Sequence, residues 1–338
     1  MFHFNIRVMR NTFIHHFILF AIIISVTQAK TGPVKLAFWN VENLFDLKDD
    51  PSTRDSEYLI GGKKNVTHES YNLKLKNLTE VIQQIRPDIL GLCEVENRFM
   101  LEELNRVIEW NYSIIHYESK DARGIDVGLM YNKHRLKVVE SSPIPVNLPT
   151  GNPTRDILYF HCLKDGVSLH IFVNHWPSKY GGVNKTIPLR AAAARTLRSY
   201  IEKILFDNPV AEIVVMGDLN DEPDEPSIME HLGANMKLEM IGKDGCILWN
   251  VMAPWHKNKN GSTYVYAGQH MVYDHLIVSK GLTDEKGLKL VNNSVGVFDG
   301  YKYRQHNGKY DGYPFRFWAG NRILGGYSDH MPVYLSIE

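Results

Sequence analysis

The chain reads as an α/β protein built on mixed sheets, and three features predict that class. Short apolar strands alternate with amphipathic helices through the first half. An Asp165-Gly166 pair joins two extended runs, a two-residue turn that places antiparallel pairing beside the strand–helix–strand units. A long helix over 187–206 then leads into Ile213–Met216, four apolar residues in a row with no polar face, which is the pattern of a strand buried on both sides.

In order, Val34–Asn40 is a strand ending in an amide, and 46–70 is a polar surface loop. Asp46, Asp49 and Asp50 in that loop lack the central glycine and terminal glutamate of a calcium loop. Tyr71 to Arg86 carries Leu75, Leu78, Val81, Ile82 and Ile85 at helical spacing and stops before Pro87. Asp88–Glu94 is a second strand ending in an acid, 98–108 a second helix, and 112–117 a further strand. Gly124–Tyr131 and Leu136–Glu140 read as paired strands, with a Pro-rich link over 143–153 behind them. The hairpin of 156–163 and 167–173 ends in Asn174-His175-Trp176-Pro177. Beyond Met216 come Gly217, Asp218, Asn220 and Asp221, then a mixed stretch over 222–261. Val272–Ser279 is a strand with Asp274 near its start, 298–326 a Gly- and Tyr-rich loop, and Tyr327–Tyr334 an Asp329-His330 pair leading into a last strand.

Residues 1–29 have the form of a secretory leader. Arg7 and Arg10 precede an apolar run, Phe17 to Val26, and Thr27-Gln-Ala29 is a small-x-small cleavage site. The run is about ten residues against the roughly twenty that a spanning helix needs, so no stable membrane span is expected. The expected location is secreted or periplasmic, with 30–338 as one domain. The chain balances 38 Lys+Arg against 38 Asp+Glu, which leaves no global field to hold a polyanion. Cys93, Cys162 and Cys246 lack metal-ligand spacing; they read as small core residues with room for one disulfide at most. No protein partner is indicated, and the chain is expected to be a monomer.

Asn40, Glu94, His175, Asp218, Asn220, Asp274, Asp329 and His330 all fall where an apolar strand meets a loop. Any one of them is explained by a cap or a turn; their recurrence over separate segments is not. Hard oxygen donors without a thiolate suit Mg²⁺ or Mn²⁺, with Ca²⁺ also open. Two histidines among acids add groups that exchange protons near neutral pH. Metal and proton transfer together fit hydrolysis of a phosphate ester.

The segments Phe38-Trp-Asn-Val-Glu-Asn-Leu-Phe45, Leu92-Cys-Glu-Val-Glu-Asn97, Asn174-His-Trp-Pro-Ser178, Gly217-Asp-Leu-Asn220, Tyr273-Asp274 and Ser328-Asp-His-Met-Pro332 occur in that order. Together they resemble the motif set of the endonuclease/exonuclease/phosphatase superfamily, in a deoxyribonuclease I-like, secreted bacterial-type form. The resemblance implies a four-layer sandwich of two packed mixed sheets flanked by helices. It implies Glu94 as principal metal ligand with Asn40 and Asp329 nearby, and Asp218 and Asn220 orienting water and phosphate. His330 would be the general base, oriented by Asp274, and His175 a donor to the phosphoryl oxygen or leaving group. Asn174 and Arg155 would contact the substrate phosphate. Asp126 and Tyr131 are assigned core-adjacent hydrogen bonds, and Asp221 a turn.

The substrate implied is nucleic acid or another phosphodiester. Lys302, Arg304, Lys309, Arg316 and Arg322, interleaved with aromatic residues, suit a polynucleotide; the same loop could equally pack over its own sheet. Lys179 and Arg190 are candidates for further positive charge at the rim. A sphingomyelinase-like or inositol-phosphate-type phosphatase is the alternative; its only candidate apolar membrane contact, Trp249–Trp255, reads as core. A binding module without catalysis would show a damaged site, and every expected position is filled.

Overall fold

In the computed structural model, which describes residues 32–258 and 261–338, apolar alternation becomes two sheets facing one another. The strands are β1 (Val34–Leu44), β2 (Ile89–Val95), β3 (Ser113–His116), β4 (Asp126–Tyr131), β5 (Lys137–Ile144), β6 (Ile157–Lys164), β7 (Val167–His175), β8 (Glu212–Asp218), β9 (Ala234–Asn235) and β10 (Leu248–Asn250). After them come β11 (Tyr264–Tyr266), β12 (Gln269–Met271), β13 (Asp274–Ser279), β14 (Gly296–Val297), β15 (Trp318–Ala319), β16 (Arg322–Ile323) and β17 (Val333–Ile337). One sheet has six strands in the order β14-β17-β1-β2-β4-β3, the other seven in the order β5-β6-β7-β8-β13-β10-β9. Both mix parallel and antiparallel neighbours: β1 runs parallel to β2 and antiparallel to β17, and β8 parallel to β7 and antiparallel to β13.

Strand periodicity of two sorts the side chains. Leu36 and Phe38 of β1, Ile171 and Val173 of β7, Val214 and Met216 of β8, and Leu276 and Val278 of β13 meet between the sheets. The alternate residues face outward. Ala37 and Trp39 pack under α1 (His68–Ile85) and α2 (Arg98–Val107), and Ile213 and Val215 under α3 (Val183–Asp207). Helix, sheet, sheet, helix make the four layers.

Local chemistry sets the helix ends. Thr67 and Ser70 form a reciprocal capping box at the start of α1, and Arg86 ends it in the left-handed region at φ 52° just before Pro87. The side chain of Asn97 caps α2 by accepting from the Met100 N–H at 3.1 Å. The β6–β7 hairpin turns through Asp165 and Gly166, both with positive φ.

Three expectations need correction. The strand at 124–131 and the strand from 136 onward do not pair: β4 joins β2 and β3, whereas β5 pairs with β6 in the other sheet. The loop over 46–70 is not simply solvated, since Tyr58 and Val66 bury themselves with Phe45, Phe317 and Trp318. All three cysteines are buried and free, so no disulfide forms. Val251 and Met252 lie in the inter-sheet core, with Trp249 and Trp255 against it. The leader expected over 1–29 lies outside the described residues. No helix among the described residues is long and apolar enough to cross a membrane.

Candidate active site

The inward rows of the two sheets end in polar residues at one edge. Asn40 continues the row of Leu36 and Phe38, His175 that of Ile171 and Val173, and Asp218 that of Val214 and Met216; Asp274 precedes Leu276 and Val278. All four are buried. Glu94 would point away on this count, but the β2–β4 register shifts between Cys93 and Val95 and Glu94 takes φ 60°. Such an irregularity re-aims one side chain. Its carboxylate now accepts from the Asn43 N–H at 2.9 Å, and its other oxygen is 3.9 Å from His175 Nε2.

Asp218 is the centre of the site. Its Oδ2 accepts from Asn40 Nδ2 at 3.0 Å and lies 3.7 Å from both His175 Nε2 and His330 Nε2, while Oδ1 accepts from the Asn220 N–H at 3.0 Å. Burial pushes its carboxyl up to about 7, with Asp274 adding to the rise and His330 opposing it. His330 is held by Asp274, Nδ1 to Oδ2 at 2.8 Å, and its ring stacks on Tyr264 with centroids 4.6 Å apart. Burial alone would depress this histidine, but Asp274, Asp218 and Asp329 outweigh it and hold its proton well above the ordinary range. His175 is pushed the other way by burial, helped by the positive charges of Arg155, Arg123 and His330, and so is neutral. The two imidazoles are thus driven apart: the site favours charge on His330 and the neutral form, with one ring N–H, on His175.

A second cluster adjoins on the β1 side. Glu42 is buried and accepts from the Phe317 and Trp318 N–H groups at 2.6 and 3.1 Å. Burial, then Asp329, push its carboxyl up to about 7. Arg316 bridges Glu42 and Asp329 at 3.3 and 3.1 Å. Lys74 of α1 is buried over the Phe317 and Trp318 rings and donates to the Tyr327 carbonyl at 2.9 Å. Burial lowers it to about 8 against the pull of Glu42, Asp329 and Glu94.

This donor set fits a divalent cation. Glu94 and Asp218 present carboxylates 3.9 and 3.7 Å from His175 Nε2, Asp218, Asp274 and His330 bring ligand atoms within 4.8 Å of one another, and the Asp274 Oδ1 is buried without a hydrogen-bond partner. Glu94, Asn40 and Asp329 are the residues that would hold the ion, which would supply positive charge to phosphoryl oxygens.

Two expected phosphate contacts are already engaged elsewhere. Asn174 donates to the Phe172 and Met216 carbonyls at 3.2 and 3.3 Å and accepts from Trp176 Nε1 at 3.1 Å, so its amide braces β7 against β8. Arg155 is buried and paired with Asp121 at 2.8 Å, while also donating to the Trp176 carbonyl at 2.8 Å. It stands behind His175 and acts on it through charge. Asn220 does not extend the strand beside Asp218: it takes φ 53°, and its Nδ2 donates to the Trp176 carbonyl at 3.0 Å. Asp221 is no mere turn residue. It is buried and binds Arg190 at 2.6 Å, Lys179 at 3.1 Å and Ser227 at 2.7 Å, so Arg190 is core rather than rim.

Sequence reading missed Glu42, Lys74 and Arg123. Glu42 carried a signal, since it sits two residues from Asn40 in a strand. Lys74 looked like one polar position of an amphipathic helix. Arg123 lies on the 117–125 loop; its half-exposed guanidinium is 3.5 Å from Asp121 and close enough to depress His175.

Fold and site together define a phosphoesterase of the deoxyribonuclease I-like class. Residues 35–338 match the Endonuclease/Exonuclease/phosphatase family, and the chain belongs to it: a hydrolase of phosphoester bonds, in a family dependent on divalent metal, with side-chain clusters that could hold an ion. Among solved structures it is similar to a humanized D. rerio TDP2, at 16% identity and a TM-score of 0.58 over 90% of this chain and 99% of that one. It is also similar to the human Nocturnin catalytic domain with bound sulfate, at 16% identity and a TM-score of 0.54 over 90% and 94% of the two chains. A Bacteroides thetaiotaomicron mannosyl-6-phosphatase follows at 14% identity and 0.56, over 90% and 99%. A search of the curated proteins found no match.

Proposed function

We propose that the protein is a secreted phosphodiesterase that cleaves nucleic acid by in-line attack of water. The carrying observation is the position of Asp218, whose Oδ2 lies 3.7 Å from the Nε2 atoms of both His175 and His330. A phosphoryl group at this edge is flanked by a proton acceptor on one side and a donor on the other. Asp218 and Asn220 orient the attacking water. His330, aligned by Asp274, takes its proton, and because the carboxylates around it hold a proton at rest, that proton has to leave first. Neutral His175 offers its one ring N–H as a hydrogen bond toward a phosphoryl oxygen. Glu94, Asn40 and Asp329 would hold Mg²⁺ or Mn²⁺, with Ca²⁺ a further candidate.

Single-stranded nucleic acid is supported by the exposed aromatics Tyr266, Tyr301 and Tyr310 and by Arg123 beside His175. A D. rerio TDP2 has been crystallised with single strand DNA product. A sugar or lipid phosphate is the second reading, favoured by one observation: the basic residues of 299–322 are largely spent within the protein. Lys302 pairs with Glu80, Arg304 with Asp299, and Arg316 with Glu42 and Asp329. Turnover of oligonucleotides, sphingomyelin and inositol or hexose phosphates, each with and without Mg²⁺, decides between them. Metal-dependent cleavage of oligonucleotides alone is expected; faster turnover of a monoester or lipid would replace the first reading by the second. Export rests on the pattern of residues 1–29 and is tested by finding the mature protein outside the cytoplasm with its N-terminus near Lys30.

A further inference from the structure

Beside the strand end that carries Glu94, β3, β4 and the loop between them bring His116, Glu118 and Asp126 together, with ligand atoms that lie within 4.8 Å of one another. His116 Nε2 is 3.5 Å from Asp126 Oδ2, and Nδ1 is 3.6 Å from Glu118 Oε1. The imidazole is 2% exposed, and its Nε2 is buried without a hydrogen-bond partner. A buried ring nitrogen with nothing to bond is costly unless a ligand completes it. Ligands at about 2.1 Å around a tetrahedral ion sit roughly 3.4 Å apart, which is the spacing between Nε2 and Asp126 Oδ2; the exposed Glu118, now beside Nδ1, would swing across to complete the set.

We propose that His116 Nε2, Asp126 and Glu118 form a second divalent-cation site, structural rather than catalytic, that takes Zn²⁺. One imidazole and two carboxylates suit Zn²⁺ better than Mg²⁺, which favours oxygen ligands and retained water. Two further observations agree. The Ser119 N–H donates to Asp126 Oδ1 at 2.9 Å and leaves Oδ2 turned to the imidazole. The Glu118 carboxyl is pushed up from its ordinary value by partial burial and by the Asp126 carboxylate beside it, against His116, and Asp156 is raised by burial and by Asp126. Crowded acids of this kind accept a cation readily.

The site would have a purpose. Its ligands stand at the two ends of the 117–125 loop, whose Asp121 holds Arg155 behind His175. An ion here pins that loop without touching substrate.

The full chain is loaded with Zn²⁺, dialysed against excess Mg²⁺ and analysed for metal. Wild type is expected to retain one zinc, and Glu94→Gln to retain it as well. Glu118→Gln, at an exposed position, and His116→Ala are expected to bind it at least tenfold more weakly, and added Zn²⁺ should raise Tm only where the site is intact. Loss of the zinc in Glu94→Gln would place it at the catalytic edge and overturn the proposal. Retention in both Glu118→Gln and His116→Ala, or no zinc in wild type, overturns it equally.

Discussion

Asn40 donates through Nδ2 to Asp218 Oδ2 at 3.0 Å, and this hydrogen bond joins the two sheets at the edge where their inward rows run out. Asn40 belongs to β1 and Asp218 to β8, so the bond reports on the relative position of both sheets. Asn40 also accepts from the Glu42 N–H at 3.0 Å, which fixes its amide orientation. Asn40→Ala removes a positioned donor from a carboxylate that burial already pushes up to about 7. A fall in kcat of roughly a hundredfold is expected, the scale of losing one preorganised donor, with the fold retained by circular dichroism. A kcat within threefold of wild type would count against a catalytic role for the pair.

The pairing of His330 with Asp274 sets the pH profile. Asp274, Asp218 and Asp329 raise the imidazole well above its ordinary value, so the base form is scarce until the pH climbs. The ascending limb of kcat/KM is therefore expected on the alkaline side of an ordinary histidine. Asp274→Asn removes one of the charges that raise it, so the limb should move toward acid while the rate at its plateau falls roughly 10²- to 10⁴-fold. A limb that stays in place in Asp274→Asn would show that another group is titrating.

Metal removal should act on rate and stability together. Glu94 and Asp218 stand 3.9 and 3.7 Å from His175 Nε2, and burial and Asp274 already raise the Asp218 carboxyl, so a cation at this edge would favour its charged form. Thorough chelation is expected to abolish turnover, with Mg²⁺ or Mn²⁺ restoring it. A cation at about a hundred times its Kd should add about 2.7 kcal/mol to unfolding free energy, read as a rise in Tm. Full activity after chelation would refute the metal-dependent reading of this site.

Asp221 supports Arg190, and that makes it a stability residue. The guanidinium of Arg190 is 0% exposed and lies 2.6 Å from Asp221 Oδ2. Asp221→Ala leaves a buried charge without its counter-ion and should destabilise the fold by about 3–5 kcal/mol, measured by urea unfolding. Changing both residues, Asp221→Leu with Arg190→Met, should recover much of the loss. If Asp221→Ala unfolds like wild type, the pair contributes nothing.

Signals that reside in a few adjacent residues were legible for the strands and the hairpin, and the misreadings of the fold share one physical origin. Ile213–Met216 is apolar on both faces, and Asp165-Gly166 meets the backbone demand of a tight turn; both signals reside in a few adjacent residues. Sheet membership does not. β4 and β5 are consecutive in sequence yet belong to different sheets, because pairing is decided by partners far along the chain. The same holds within the site. Asn174 and Arg155 are polar residues beside a catalytic motif, but their bonds go to Met216, Trp176 and Asp121, which no spacing rule exposes. Glu94 lies on the wrong parity, and only an irregularity in β2 turns it inward. Asp221 followed Asn220 like one more turn residue, and its partner Arg190 sits on α3.

His275 provides the last prediction, because its protonation state is legible from its bonds. Its Nδ1 lies 3.0 Å from Asn250 Nδ2, which can only donate, and its Nε2 lies 2.9 Å from the Asp221 carbonyl, which can only accept. The ring is therefore neutral with the proton on Nε2, and a second proton on Nδ1 would face a donor. Burial lowers its pKa from 6.5 to about 4, only partly opposed by the Asp221 carbonyl and nearby carboxylates. The unfolded chain binds a proton at higher pH than the folded one, so stability rises with pH across this window and falls as pH drops from about 6.5 to about 4. The loss from this residue should total about 3 kcal/mol at the acid end, since each pKa unit is worth 1.36 kcal/mol. Urea midpoints of wild type and His275→Gln, followed from pH 7 to pH 4, check it: the variant is expected to start less stable and to lose less on acidification. Parallel curves for the two proteins would mean that His275 takes no part in the acid response.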